Sequence, residues 1–173
     1  MPFTAGQPLL ASQLNDLEVF AIPKVVVKTS DESVASSIAP QDDNELLLSV
    51  AANTAYRLQM HLLLLSAGTA GDLRFRFNAP AGSRLSASAA GLEVGATGQT
   101  GSMQAAAIQD VTSFPTADFG FGAVGTVVGI ICSGTLIVGG TAGTFRLQWA
   151  QWASSATATT IKAGSALELS RYA

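Results

Sequence analysis

The sequence predicts an all-β protein, an antiparallel sandwich of about eight to ten strands that follows a short helical segment. Three observations predict it. Apolar and polar residues alternate with a period of two in several stretches, glycine-rich turns separate those stretches, and β-branched residues fill the most apolar one. Beyond residue 22 the connections show no helical periodicity, which argues against a parallel sheet built from alternating strands and helices.

Composition limits the classes of protein to which the chain can belong. A chain of 173 residues is long enough for one domain with a real core. Only 12% of the residues are charged and 48% are hydrophobic, so we expect a surface that is small and neutral or covered by a partner. The net charge is −3 and the nine basic residues are scattered, which excludes the basic stripe that nucleic-acid binding needs. No signal-peptide pattern opens the chain, so we expect synthesis in the cytoplasm.

Residues 1–22 differ from the rest and are predicted to be an anchoring segment, with the β-sandwich domain over 23–173. A short helix is predicted from Leu10 to Val19, and Pro23 ends the segment. One apolar stripe joins Leu9, Leu10, Leu14 and Leu17. Because a helix this short is marginal alone, its stripe must pack on the same domain or on another protein.

The next elements are strands and turns. Val25 and Val27 alternate with their neighbours, and the polar residues 30–44 are predicted to be a loop that contains Asp42-Asp43-Asn44. Glu45 to Val50 is predicted to be a strand, followed by a turn at 51–53. From Tyr56 to Leu64 every second residue is large and apolar, which predicts a long strand.

The cleanest strand signal lies at 73–78, where Leu73, Phe75 and Phe77 alternate with polar residues. Residues 83–118 predict two or three weaker strands with long loops. Phe145, Leu147 and Trp149 alternate in a further strand, and residues 161–169 finish the sheet.

The uncharged run from Phe119 to Phe145 allows two interpretations. It could be a membrane span, or a long buried strand followed by the start of its hairpin partner. Seven glycines before Thr141 and many β-branched residues favour the strand. Cys132, the single cysteine, lies in this run and is expected to be a small core residue.

Motifs for catalysis are weak, and we expect a protein that is not an enzyme and has no cofactor. His61 is the only histidine, and no local motif places it in a catalytic triad. The turn at 68–72 lacks the lysine and helix of a phosphate-binding loop. Asp42, Asp43 and Glu45 could offer oxygens to calcium, but they lack the Asp-x-Asp-x-Asp spacing of a calcium loop, so they are expected to solvate a turn and no metal is expected.

Two aromatic residues are predicted to be surface residues. On a strand, positions 149 and 152 point to opposite faces, so Trp149 is expected in the core. Trp152 and Tyr172 are expected to form a subunit contact or, alternatively, an exposed platform on which a sugar stacks.

Several motifs resemble those of bacteriophage particle proteins. The opening, Phe3-Thr-Ala-Gly-Gln-Pro-Leu-Leu-Ala-Ser-Gln-Leu-Asn-Asp-Leu17, is similar to an F-x-x-G-x-x-L-T-A-x-x-L-N motif that starts many phage tail and virion proteins, with Leu10 in place of Thr. Further blocks resemble, in order, small phage structural proteins with mostly actinobacterial hosts. These blocks are Lys28–Val34, Gln41–Leu46, Ala52–Tyr56, Ala142–Gln151 and Ile161–Leu169.

The resemblance implies a virion component with a jelly-roll sandwich, with the trimeric tumour-necrosis-factor-like type as one form. It implies a homotrimeric capsid decoration or head-surface protein that docks on a major capsid or tail protein. The docking residues would be Phe3, Leu9, Leu10, Leu14 and Leu17. A tail fibre is disfavoured because heptads and stalk repeats are absent from the sequence. A minor tail protein, or a tail-tip module that binds host-cell glycans, is the alternative.

Overall fold

The computed structural model describes residues 22–67, 71–98 and 100–172. These residues form twelve β-strands. In chain order they are β1 (Lys24–Val27), β2 (Glu32–Val34), β3 (Gln41–Val50), β4 (Ala55–Ser66), β5 (Leu73–Asn78), β6 (Arg84–Leu92), β7 (Met103–Val111), β8 (Phe119–Phe121), β9 (Val128–Ile137), β10 (Gly143–Gln151), β11 (Thr159–Ile161) and β12 (Ala166–Arg171).

The strands form two antiparallel sheets. The larger sheet has the order β1-β12-β4-β9-β6-β7, and β11 pairs with both β4 and β2 at one end. The smaller sheet has the order β3-β10-β5-β8. Without β2, β6, β7 and β11, two four-stranded sheets remain, β1-β12-β4-β9 and β3-β10-β5-β8, and this is the jelly-roll arrangement. The predicted fold class is therefore confirmed.

The helical segment predicted over Leu10–Val19 lies outside the described residues, and the domain boundary after residue 22 stays a prediction. Within the part of the chain that the structure describes, no helix is long and apolar enough to cross a membrane.

The core lies between the sheets and is rich in aromatic rings. Phe75 stacks on Phe119 with ring centroids 4.9 Å apart, and Phe77 stacks on Phe145 at 5.1 Å. Trp149 is completely buried, as predicted, and Cys132 is buried too. The strict alternation in the sequence of β5 and β10 produces this core, because every second side chain points between the sheets.

The run from Phe119 to Phe145 differs from its prediction. It is not one long buried strand with a hairpin partner, because β8 belongs to the smaller sheet and β9 to the larger one. β9 pairs with β4 and β6, whereas β10 pairs with β3 and β5 in the other sheet. Only one face of β9 is buried, and Ile131 on its other face is 61% exposed. The glycine-rich links carry the chain from one sheet to the other, which a hydropathy pattern does not reveal.

The predicted loop over 30–44 is also wrong in part. β2 and the first residues of β3 lie in it, so Asp42, Asp43 and Asn44 belong to a strand. Their low strand propensity is overridden because Asp43 is buried against Lys28, as described below. Three strands of only three residues each, β2, β8 and β11, raise the total above the predicted eight to ten.

The hairpin of β6 and β7 widens the larger sheet beyond the jelly-roll core. It corresponds to the weak strands predicted in residues 83–118. β6 lies against β9 at Gly134, where a Cβ atom would come within 2.7 Å of the Ala87 side chain. The glycine therefore permits the close approach by which the hairpin joins the sheet.

Candidate functional site

The two outer faces of the sandwich differ in chemistry. The outer face of the smaller sheet, here called the charged face, carries ion pairs and side-chain hydrogen bonds. Arg146 pairs with Asp42, the Gln148 amide donates to Asp42 at 2.7 Å, and Arg76 donates to Gln148 at 2.9 Å. These contacts pair several charged and polar side chains within the face.

The outer face of the larger sheet, here called the neutral face, is made mostly of small uncharged side chains. The alternation in β4, β9, β6 and β12 places them there, since their neighbours in sequence point into the core. The face comprises Val25, Val27, Arg57, Gln59, His61, Arg84, Ser86, Ser88, Ala90, Ala105, Ala107, Ile131, Ser133, Thr135, Ile137, Ala166, Glu168 and Ser170.

A groove of about 510 Å³ crosses the middle of the neutral face. The strand register sets Ala166, His61, Ile131 and Ala90 side by side across β12, β4, β9 and β6. Val25 of β1 lines one wall of the groove. The groove forms because the small side chains of Ala166 and Ala90 flank the longer His61 and Ile131 side chains.

The neutral face is large enough for a protein contact. Its six adjacent strands, at about 4.8 Å spacing, span roughly 24 Å, and a ten-residue strand adds about 30 Å in the other direction. The resulting area of roughly 700 Å² is close to the ~800 Å² that each partner contributes to a standard interface.

Cys132 belongs to the floor of this groove but is not a reactive group. Its side chain points from β9 into the core. Burial raises the pKa of the thiol to about 12, so the thiolate needed for nucleophilic chemistry is not formed at neutral pH.

The structure separates the two aromatic residues that were predicted to share a surface role. Trp152 is 39% exposed and belongs to the charged face, where its ring lies over Gly120 and the Arg74 guanidinium is 5.2 Å from the ring centroid. Tyr172 is 46% exposed, and its hydroxyl lies 3.3 Å from the Thr135 hydroxyl, at the border of the neutral face. They form no common platform, and the role of each as a subunit contact stays a prediction.

The predicted anchoring residues Phe3, Leu9, Leu10, Leu14 and Leu17 lie outside the described residues. The described chain begins at Ile22, two residues before β1. Val25 of β1, three residues later, lines the groove.

A buried ion cluster at the start of the domain was not predicted. The Lys28 ammonium lies 2.7 Å from Glu32 and 3.0 Å from Asp43, and its side chain is only 1% exposed. Burial opposes the charged form, but hydrogen bonds to Glu32 and Asp43 outweigh it and hold the pKa of Lys28 above its ordinary value. Asp43 also accepts a hydrogen bond from the Trp149 indole at 3.2 Å. The cluster therefore ties β1 to the edge of the smaller sheet.

The acidic residues considered for calcium are already bound to protein donors. Glu45 accepts hydrogen bonds from the hydroxyl and amide groups of Thr29 and Ser30, which lower its pKa to about 2. Asp42 pairs with Arg146 and Asp43 with Lys28. Among the described residues, no group of three histidine, cysteine or acidic side chains is placed to hold a metal ion.

The residues that define the neutral face were not predicted from the sequence. Ile131 and Ser133 lie in the run predicted to be a long buried strand, and Ser88 and Ala90 lie in the stretch predicted to hold two or three weaker strands. A signal was present, since the sequence of β6 places only small side chains, Ser86, Ser88 and Ala90, after Arg84 on its outer face.

No protein-family model matches this chain, and no curated protein matches it. Solved structures of infectious bursal disease virus show a weak likeness. The Gx strain structure and the VP2 subviral particle have TM-scores of 0.21 with 12% and 11% identity, and the Gt strain structure has a TM-score of 0.18 with 12% identity. Each alignment covers 86% of this chain but only 39–40% of the viral chain. At these TM-scores the likeness carries no conclusion about function.

Proposed function

We propose that this chain is a structural protein of a bacteriophage particle, a homotrimeric capsid decoration or head-surface protein that acts by association and not by catalysis. The observation that carries the proposal is the contrast between the two outer faces. The charged face carries ion pairs and side-chain hydrogen bonds, whereas the neutral face is broad, poor in charge and rich in small residues. Since few charges must lose their water there, contact with another copy has a low desolvation cost.

The assignment to a phage particle rests on the motif resemblance of the opening segment and of the five further blocks. On this proposal the chain is made in the host bacterial cytoplasm and becomes part of the virion. Phe3, Leu9, Leu10, Leu14 and Leu17 would dock on a major capsid or tail protein, and the neutral faces would lie between copies.

Self-association is tested by adding charge to one face at a time. Ser133→Arg places a cation in the middle of the neutral face, and Leu47→Arg is the matched control on the charged face, where Leu47 is also exposed. We expect light scattering to give a trimer for the wild type and for Leu47→Arg, and a monomer at micromolar concentration for Ser133→Arg. A monomeric wild type, or equal masses for both variants, would contradict association through the neutral face.

Copy number in the particle tests the head-surface assignment. Quantitative mass spectrometry of purified virions should find hundreds of copies for a decoration protein. A handful of copies would favour a minor tail protein.

A tail-tip module that binds host glycans is the second candidate, and the partly exposed ring of Trp152 is the observation that favours it. One edge of this ring packs on Gly120, so the remaining surface is small. Glycan binding by the purified chain that is lost in Trp152→Ala would favour this candidate over the first.

A further inference from the structure

The buried ion cluster holds an amine and a carboxyl group in the arrangement from which an amide bond can form. The Lys28 Nζ atom lies 3.0 and 3.1 Å from the two carboxyl oxygens of Asp43, so it faces both oxygens and the carbon between them. These nearly equal distances place Nζ within about 3.5 Å of the carboxyl carbon, the separation of a near-attack arrangement. The Lys28 and Asp43 side chains are 1% and 0% exposed, so the pair is shielded from bulk water.

The carboxyl group of Asp43 is polarised by donors on both of its oxygens. Oδ1 accepts hydrogen bonds from the backbone amides of Glu45 and Leu46 at 2.9 and 2.8 Å. Oδ2 accepts the hydrogen bond from the Trp149 indole. Two backbone N–H groups on one oxygen stabilise the negative charge that develops there when a nucleophile adds to the carbon, which is the function of an oxyanion hole.

Glu32 supplies the proton acceptor that such a reaction needs. Its Oε2 atom lies 2.7 Å from the Lys28 Nζ atom, and its side chain is only 9% exposed. Glu45 is farther from Nζ, at 3.9 Å, and its carboxylate accepts hydrogen bonds from the Thr29 and Ser30 hydroxyl groups. Glu32 is therefore the carboxylate placed to take a proton from the amine.

We propose that Lys28 and Asp43 form an intramolecular amide bond, with Glu32 as the proton carrier. The ammonium first passes one proton through Glu32 to Asp43, which leaves a neutral amine and a neutral carboxylic acid. The amine attacks the Cγ atom of Asp43, and its second proton passes to Glu32. Glu32 then protonates the hydroxyl group, which leaves as water. One N–C bond forms and one C–O bond breaks, so no oxidant or further reactant is required.

Burial favours the product, because the amide is neutral and two charges no longer have to be kept away from water. The reaction is slow compared with folding, since hydrogen bonds to Glu32 and Asp43 raise the pKa of Lys28 and keep its amine protonated in most molecules. Newly folded protein therefore contains the ion pair. The bond would join the residue that follows β1 of the larger sheet to β3 of the smaller sheet. The inference concerns the isolated chain and does not rest on the proposed virion role.

Mass spectrometry of the purified full-length protein tests the proposal during prolonged incubation at neutral pH. The intact mass should fall by about 18 Da, because one water is lost for each bond that forms. Digestion with trypsin and then with a protease that cleaves after Glu32 should give two peptides joined through Lys28 and Asp43. An unchanged mass would overturn the proposal, and so would a loss of water without joined peptides, which is the result of a cyclised aspartate.

Three variants assign the parts of the reaction, with circular dichroism to confirm that each is folded. Lys28→Arg retains a cation but has no nucleophilic amine, so it should keep its full mass. Lys162→Arg is the matched control in the exposed pair with Asp31, and it should lose water at the wild-type rate. Glu32→Gln should form the bond roughly a hundredfold more slowly, since general acid–base catalysis contributes at least that factor. A wild-type rate in Glu32→Gln would overturn the role of Glu32, and a loss of water in Lys28→Arg would overturn the role of Lys28.

Discussion

Replacing Lys28 by Met should destabilise the domain more than any loss of a surface charge. The substitution keeps most of the apolar stem but removes the cation from a cluster whose Asp43 side chain is completely buried. Removing one partner of a buried ion pair costs about 3–5 kcal/mol, because the remaining charge is left without compensation. For a domain of this size, that loss corresponds to a fall in Tm of about 6–20 °C.

Lys162→Met is the matched control. Lys162 also pairs with an aspartate, Asp31, but the two side chains are 30% and 44% exposed. Exposed pairs contribute about 0–1 kcal/mol, so this variant should remain close to the wild type.

Urea denaturation at pH 7 measures both variants. At this pH the contribution of Lys28 to the free energy of unfolding is present in full. The reason is that a lysine whose pKa is raised in the folded state stabilises the fold at every pH below the ordinary lysine pKa. This stabilisation is lost only as pH rises through the pKa of the folded state. A double-mutant cycle with Asp43→Asn should show coupling between the two positions. The reasoning is refuted if Lys28→Met costs less than about 1 kcal/mol, the value expected of an exposed pair.

Two further predictions concern the stability of the domain. The pKa of Glu45 is lowered to about 2, so its ionised carboxylate stabilises the fold above the ordinary carboxyl pKa, and this stabilisation is lost as pH falls towards 2. Glu45→Gln should therefore be less stable than the wild type above pH 5 and equally stable near pH 2. Denaturation of both proteins across this pH range measures the difference. Gly120→Val places a Cβ 2.7 Å from the Trp152 ring and should displace the ring. The variant should lose about 1–3 kcal/mol of stability, and its Trp152 fluorescence should shift to the red. Gly125→Ala is the control, because no atom lies within 4 Å of its new Cβ, and it should change neither the stability nor the fluorescence. Unshifted emission in the Gly120 variant would mean that the ring does not lie on this glycine.

Local sequence patterns predicted the elements whose two sides differ most. β5 and β10 alternate between large apolar and polar residues, and their strand assignment and the burial of Trp149 are confirmed. The patterns failed where contacts between distant residues decide the structure. Asp43 lies in a strand because Lys28 and Trp149 bind it, and these residues are 15 and 106 positions away.

The candidate site was harder to predict than the fold. A neutral surface was expected from the low charge content, but which strands carry it depends on sheet order. Ser88, Ile131 and Ala166 are far apart in sequence and meet only because β6, β9, β4 and β12 are neighbours. A single sequence shows the period of each strand and not its partner, so the groove could not be predicted.

The scarcity of charge on the neutral face has a consequence for the conditions that this protein can tolerate. At physiological ionic strength, interactions between exposed charges fade beyond about 8 Å, and concentrated salt weakens them further. A contact built mainly from alanine, serine and aliphatic side chains depends little on such screening, and excluded salts such as sulfate strengthen it. Assemblies held by this face should therefore persist from dilute buffer to brine, while anything bound to the opposite side of the molecule would be released as salt rises.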